Sequence, residues 1–201
     1  MRERRYSSTS PELLAAALFD VAAAAGLDNT SVREVAKKAG VSIGAVQHHF
    51  ATKESMFAYA LRAVVDRIHR RIATVHEADA EQALVAMLGQ LLPLDEDRAR
   101  EAHVLAAFSV RAATTPSLAT IRRQARFAVR TLLSSVLIES GVPDAEARAA
   151  LLLSCAEGLA LAAVGAPEDH PAVYLTRALE LQVRMTLWDA DADLPPVELA
   201  S

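Results

Sequence analysis

Aromatic residues supply only 4% of this 201-residue chain, although hydrophobic residues supply 52%. Alanine carries much of the apolar share, a balance that favours closely packed helices over sheets and predicts an all-α protein. A single cysteine, Cys155, excludes an internal disulfide framework and any multi-cysteine zinc site, and it fits a reducing cytoplasm. No fixed-period repeat and no sustained strand-like alternation is present. The six histidines show no HExxH-type spacing, and His48 and His49, being adjacent, do not share one helical face, so no metal site is expected. Nucleophile–base pairs, phosphate-binding loops and metal motifs are all missing, which points to a binder without cofactor or catalytic step rather than an enzyme.

Excess charge of one sign is missing as well. The net charge is −4, so bulk attraction to a polyanion is excluded and the distribution decides. Residues 1–53 carry seven Lys/Arg against five Asp/Glu, and the remainder carries fourteen against twenty, so the basic end is the N-terminal one. The apolar run Leu13–Leu27 follows Arg2, Arg4 and Arg5 but is interrupted by Asp20, which makes it amphipathic rather than a signal peptide. Ala149–Ala166, the most apolar later stretch, is broken by Glu157 and reads as a buried helix rather than a membrane span.

What is present is a succession of helices punctuated by Pro, Gly and Asp. Ser10-Pro11 is a capping hydroxyl followed by a proline at the first helical position, and Gly26 ends that helix. Ser31 and Glu34 have capping-box spacing ahead of a second helix that Gly40 terminates. Ser42 caps a short third helix running to about Phe50, with Val46 and Phe50 facing inward. Thr52 caps a long fourth helix, Lys53–His76, whose Phe57, Leu61, Val64, Ile68, Ile72 and Val75 recur at three or four residues. Further helices are expected at Ala80–Leu92, Asp95–Thr114, Ser117–Glu139, Asp144–Val164 and His170–Trp188, with a disordered acidic tail from Asp189.

Thr30 to Phe57 is the informative stretch: a scaffold helix, a glycine turn, and a short helix with a polar N-terminal half. That is how a helix-turn-helix sets base-reading side chains in the major groove while hydroxyls and helix ends grip phosphates. The turn Ala39-Gly40-Val41-Ser42, followed by His49-Phe50 and Lys53-Glu54, closely resembles the TetR family of bacterial regulators over Ser10–Leu61. The resemblance implies about nine helices, with residues 1–52 as a three-helix DNA-binding domain and 53–188 as a ligand-binding and dimerisation domain. It implies a cytoplasmic regulator, most often a repressor, that binds a double-stranded operator as a homodimer through its last two long helices and is released by a small-molecule effector. The rival reading is a helical interaction module whose helix-turn-helix face binds protein instead of DNA.

Carried over residue by residue, the family pattern places Ser42, Ile43, Gly44, Ala45, Gln47 and His48 near base edges or the adjacent sugar-phosphate, and Thr30, His49 and Lys53 on phosphates. The family often has tyrosine where Gln47 stands here, and an aromatic or basic residue at His48. Gln47 is the best base-reading candidate because its amide suits a bidentate contact with adenine. The alternatives are a solvated polar face for Gln47 and His48, ordinary exposure for Lys37 and Lys38, and a hydrogen bond to the scaffold for His49. The Arg2, Arg4, Arg5 arm could enter a minor groove or remain a free tail.

On the sensor side the resemblance puts His103, Phe108 and Arg111 on a cavity-lining helix, with His103 either a polar contact in the cavity or, the favoured reading, a satisfied core histidine. Glu157, a charge within an apolar run, needs a partner or a polar ligand. Its segment Glu157-Gly158-Leu159-Ala160-Leu161 loosely resembles the BetI-like branch of the same family. Arg122, Arg126 and Arg130, spaced i, i+4, i+8, form a basic stripe that either faces solvent or holds an anionic effector.

Overall fold

The computed structural model describes residues 9–188. The Arg2, Arg4, Arg5 arm and the tail from Asp189 lie outside the described residues. Among those described, all regular structure is helical: α1 Pro11–Ala25, α2 Val32–Ala39, α3 Ile43–His49, α4 Lys53–Ala73, α5 Ala80–Gly89, α6 Glu96–Ala112, α7 Pro116–Glu139, α8 Ala145–Gly165 and α9 Ala172–Trp188.

Local chemistry sets the helix ends. Ser10, Ser31, Ser42 and Asp79 each accept a hydrogen bond from the backbone N–H three residues on, closing the first turns of α1, α2, α3 and α5. Gly26, Gly40 and Gly141 follow α1, α2 and α7 with positive φ, the conformation that ends a helix at least cost without a Cβ. Pro116 opens α7 instead of preceding it, since a first-turn proline loses no helical hydrogen bond. Arg71 and Ile72 carbonyls take up the Thr74 and Val75 amides, so α4 ends three residues short of the expected His76.

The chain forms two compact units. One contains everything described up to Asp66 together with Val104–Ile121, and the other contains Arg67–His103 together with everything described from Arg122 onward. In the first, α1 packs on α2 and α2 on α3, around Leu14, Leu18, Val35 and Val46, all fully buried. Phe57 of α4 and Phe108 of α6 meet edge to face with centroids 5.9 Å apart, so this core runs past Thr52.

In the second unit α5 packs against α8 and α9, and α8 against α9. Leu84, Leu88, Leu152, Leu175, Leu179 and Val183 are its buried centre. Arg148 is buried among them and satisfied by donating to the Thr186 carbonyl at 2.8 Å. Within the chain the apolar run read as a buried helix is covered on one side: Leu152, Leu153 and Ala156 are buried, while Leu151 and Leu161 of the same helix are 66% and 60% exposed. α8 is long and apolar enough to cross a bilayer by length and composition, but its packing on α5 and α9 accounts for its buried side. α9 likewise exposes Leu181, Met185 and Trp188.

Candidate nucleic-acid interface

The turn between α2 and α3 depends on Gly40, at φ 69° and ψ 29°. Its amide reaches the Lys37 carbonyl at 3.3 Å, and the next amide, of Val41, reaches back to Ala36 at 3.0 Å. This double closure terminates α2 within one residue and turns the chain toward α3. The Ser42 hydroxyl then accepts from the Ala45 amide at 3.1 Å and starts α3. Val46 and, just beyond α3, Phe50 are buried, which fixes the rotation of the helix about its axis.

That rotation puts Ser42, Ile43, Gly44, Gln47 and His48 on the exposed side, with Ala45 half-buried at its edge. Positions 43, 44, 47 and 48 share one arc of a helix, so the polar and small residues form a continuous outward surface. Lys53 opens α4, with its ammonium 5.1 Å from the centre of the Phe57 ring. Thr52 and Ser55 hold that start reciprocally: Thr52 Oγ1 accepts from the Ser55 amide at 3.0 Å, and Ser55 Oγ accepts from the Thr52 amide at 3.2 Å.

Two residues expected on phosphates make contacts within the protein. Thr30 has no exposed surface, and its hydroxyl donates to the Gly26 carbonyl at 2.9 Å, tying the end of α1 to the start of α2. A side chain enclosed in this way cannot touch a phosphate, and Thr30 is a structural residue in this arrangement. His49 is half-buried with Nε2 2.9 Å from the Thr9 carbonyl, which is the scaffold bond weighed against the phosphate role. Of the scaffold lysines, Lys37 and Lys38 are exposed, and Lys38 pairs with Asp20 at 3.2 Å.

A second polar cluster braces α1 against α4 and was not anticipated from the sequence. Tyr59 donates to Glu12 at 2.9 Å, and its ring lies tilted against Phe50 with centroids 5.4 Å apart. A backbone N–H and then the Ser10 and Tyr59 hydroxyls hold the Glu12 carboxyl below its ordinary range, while the bond to Glu12 pushes the Tyr59 phenol up.

The four sensor candidates divide between the two units: Phe108 and Arg111 belong to the first, His103 and Glu157 to the second. Phe108 is fully buried against Phe57, and Arg111 lies over the same ring at 5.1 Å while reaching Asp28 at 3.4 Å. His103 is exposed, with Nδ1 2.9 Å from the Ala99 carbonyl. Glu157 is half-buried and pairs with Arg122 and Arg126 of α7. Sequence reasoning also missed Glu101, whose carboxylate is 4% exposed and takes both terminal nitrogens of Arg71, at 3.0 and 2.6 Å, plus Arg67 Nε at 3.3 Å. Only the i, i+4 spacing of the two arginines hinted at it; Glu101 lies 30 residues beyond Arg71.

Comparison with known proteins agrees with this geometry. Residues 13–60 match the family described as bacterial regulatory proteins, tetR family, and residues 80–187 match the C-terminal part described as BetI-type transcriptional repressor. The chain is similar to a transcriptional regulator from Rhodococcus sp. Rha1, with 61% identity over 94% of this chain and 100% of that one and a TM-score of 0.88. It is 28% identical to the HTH-type transcriptional regulator PksA of Bacillus subtilis over 75% of this chain and 77% of the relative. A transcriptional regulator from Saccharomonospora viridis in complex with choline shares the fold, with a TM-score of 0.79 at 20% identity over 87% of this chain and 95% of that one.

Proposed function

The chain belongs to the TetR family of bacterial regulatory proteins and is a DNA-binding transcriptional regulator, and on that premise we propose that it is a cytoplasmic, homodimeric repressor released from its operator by a small molecule. Residues 1–52 read DNA, and residues 53–188 bind the effector and dimerise. The observation that carries this reading is the exposed arc on α3 behind the Gly40 turn. Gln47 reads a base, an adenine by the fit of its amide. His48 contacts a base edge or the sugar-phosphate, while Ser42, Ile43, Gly44 and Ala45 allow the helix close approach to the groove. Lys53 meets a phosphate beside α4, and His49, through Thr9, positions the entry of α1.

One helix-turn-helix per chain calls for two copies on an inverted repeat. The exposed apolar residues Leu151 and Leu161 of α8 and Leu181, Met185 and Trp188 of α9 supply a surface for a two-fold, four-helix contact with a second copy. Effector control is supported by the BetI-type repressor match and by the choline bound to the Saccharomonospora viridis neighbour. Of the proposed ligand residues His103, Phe108, Arg111 and Glu157, His103 and Glu157 have surface to offer an effector, whereas Phe108 and Arg111 are held against Phe57 and Asp28 and fix α6.

Fluorescence anisotropy on an operator selected from genomic fragments tests the reading. Gln47→Ala is expected to reduce discrimination at one base pair per half-site by about 1–3 kcal/mol. Lys53→Ala is expected to weaken all duplexes alike and to lower the salt slope by about one. Equal loss on specific and random DNA for Gln47→Ala overturns its assignment, and no duplex binding at all overturns the function.

A further inference from the structure

α7 carries four arginines, at 122, 123, 126 and 130, and no acidic residue before Glu139. Two of them, one helical turn apart, face the same carboxylate on α8. Arg126 Nη1 pairs with Glu157 Oε2, but Arg122 Nη2 stands 3.7 Å from Glu157 Oε1, beyond hydrogen-bond reach. The Arg122 side chain is only 22% exposed. A guanidinium stays charged at any physiological pH and carries five N–H donors, so Arg122, whose contact with Glu157 is long, keeps donors open to a further acceptor. Burial pulls the Arg122 pKa down, and burial followed by the neighbouring Arg122 and Arg130 charges does the same at Arg126. Around Glu157 on α8, Leu153, Ala156, Ala160 and Leu161 add no second acid. Two cations on one carboxylate leave an unbalanced positive charge.

We propose that Arg122 and Arg126 form a binding site for the carboxylate of a small amphipathic organic acid, with Glu157 as a built-in, incomplete occupant. The inference rests on the effector control proposed above and names its ligand class. Paired guanidiniums match the two oxygens of a carboxylate, and the group already seated there is of that kind. A buried lone acid would instead make a site for a cation, but Glu157 is neutralised twice over.

The two ideas differ in the sign of one substitution. Calorimetric titration of the full-length protein with hexanoate, and with hexyltrimethylammonium at equal ionic strength, is to be run on the wild type, Arg122→Gln, Arg126→Gln, Glu157→Gln and the exposed control Arg123→Gln. Hexanoate is expected to bind, Glu157→Gln to tighten it, and Arg122→Gln and Arg126→Gln each to weaken it by about tenfold or more, with Arg123→Gln unchanged. Circular dichroism melting checks that each variant is folded. Weaker hexanoate binding in Glu157→Gln, wild-type affinity in folded Arg122→Gln, binding of the ammonium alone, or no hexanoate binding to any variant overturns the proposal. Operator anisotropy without ligand judges the regulatory reading separately, so a protein that binds hexanoate as expected but no operator sinks only that reading.

Discussion

Gly44 separates what the fold requires from what the DNA surface requires. It is the second residue of α3, its backbone φ is not in the positive region, and a Cβ built there meets only Ser42 Oγ, at 3.9 Å. Nothing inside the protein therefore asks for glycine. Alanine in a helix interior is worth about 1 kcal/mol over glycine, and at an exposed first-turn position about half of that is expected, so Gly44→Ala stabilises the protein by ~0.5 kcal/mol. On the outside the methyl group stands on the exposed face that carries Ile43 and Gln47, the face proposed to meet the groove. On the face proposed to meet DNA, forcing the surfaces apart by that methyl costs about 1–3 kcal/mol, a loss of roughly fivefold to 150-fold in operator affinity.

Gly40→Ala is the control with the opposite pattern. No atom lies within 4 Å of its Cβ position, but φ is +69°, so the substitution costs only the left-handed strain of about 1–2 kcal/mol. Stability should fall while the folded protein keeps its operator affinity. Urea denaturation at fixed protein concentration and anisotropy at fixed salt give the two quantities. Gly44→Ala with unchanged operator affinity would refute the placement of that face on DNA, and Gly40→Ala with unchanged stability would refute the left-handed turn.

Thr30→Val removes a buried hydroxyl donor and leaves the Gly26 carbonyl short of a partner; stability should drop by about 1 kcal/mol with operator affinity intact, and the reverse result in the same two assays would return Thr30 to the phosphate backbone. Glu12 has a depressed folded pKa, so its contribution is present above the ordinary carboxylate range and lost as pH falls through the folded value. Tyr59, with a raised pKa, contributes below the ordinary phenol value, and that contribution is lost as pH rises through the folded one. Tyr59→Phe should therefore flatten both limbs of the melting temperature against pH, and superimposable profiles would mean the bond does not form in solution. Leu181→Glu places a charge on the exposed apolar side of α9 and is expected to give monomers in sedimentation; a wild-type protein already monomeric at micromolar concentration refutes the α8–α9 interface.

Helix limits and the reading helix were legible because their causes are local. Ser10, Ser31 and Ser42 cap the amide three residues on, Gly40 ends α2 within its own turn, and Val46 sets which side of α3 faces outward. Each depends on neighbours three or four residues apart, a spacing that any reading of periodicity covers. The same locality made the Ala39–Ser42 turn and its flanking residues recognisable as a helix-turn-helix.

The sequence by itself thus determined the all-helical class, the order of its helices and the outward arc from Ser42 to His48. Tertiary structure decided the partners of the polar groups. Thr30 looked available for a phosphate until packing enclosed it, and His49 found a carbonyl 40 residues back. Arg111 meets Asp28 across 83 residues, Glu101 gathers two arginines of α4, and Glu157 stands before two of α7. A hydrogen-bonding side chain carries no record of which segment the packed apolar faces will bring opposite it. That choice, and the one-sided burial of α8, come from the hydrophobic faces acting together across the whole chain.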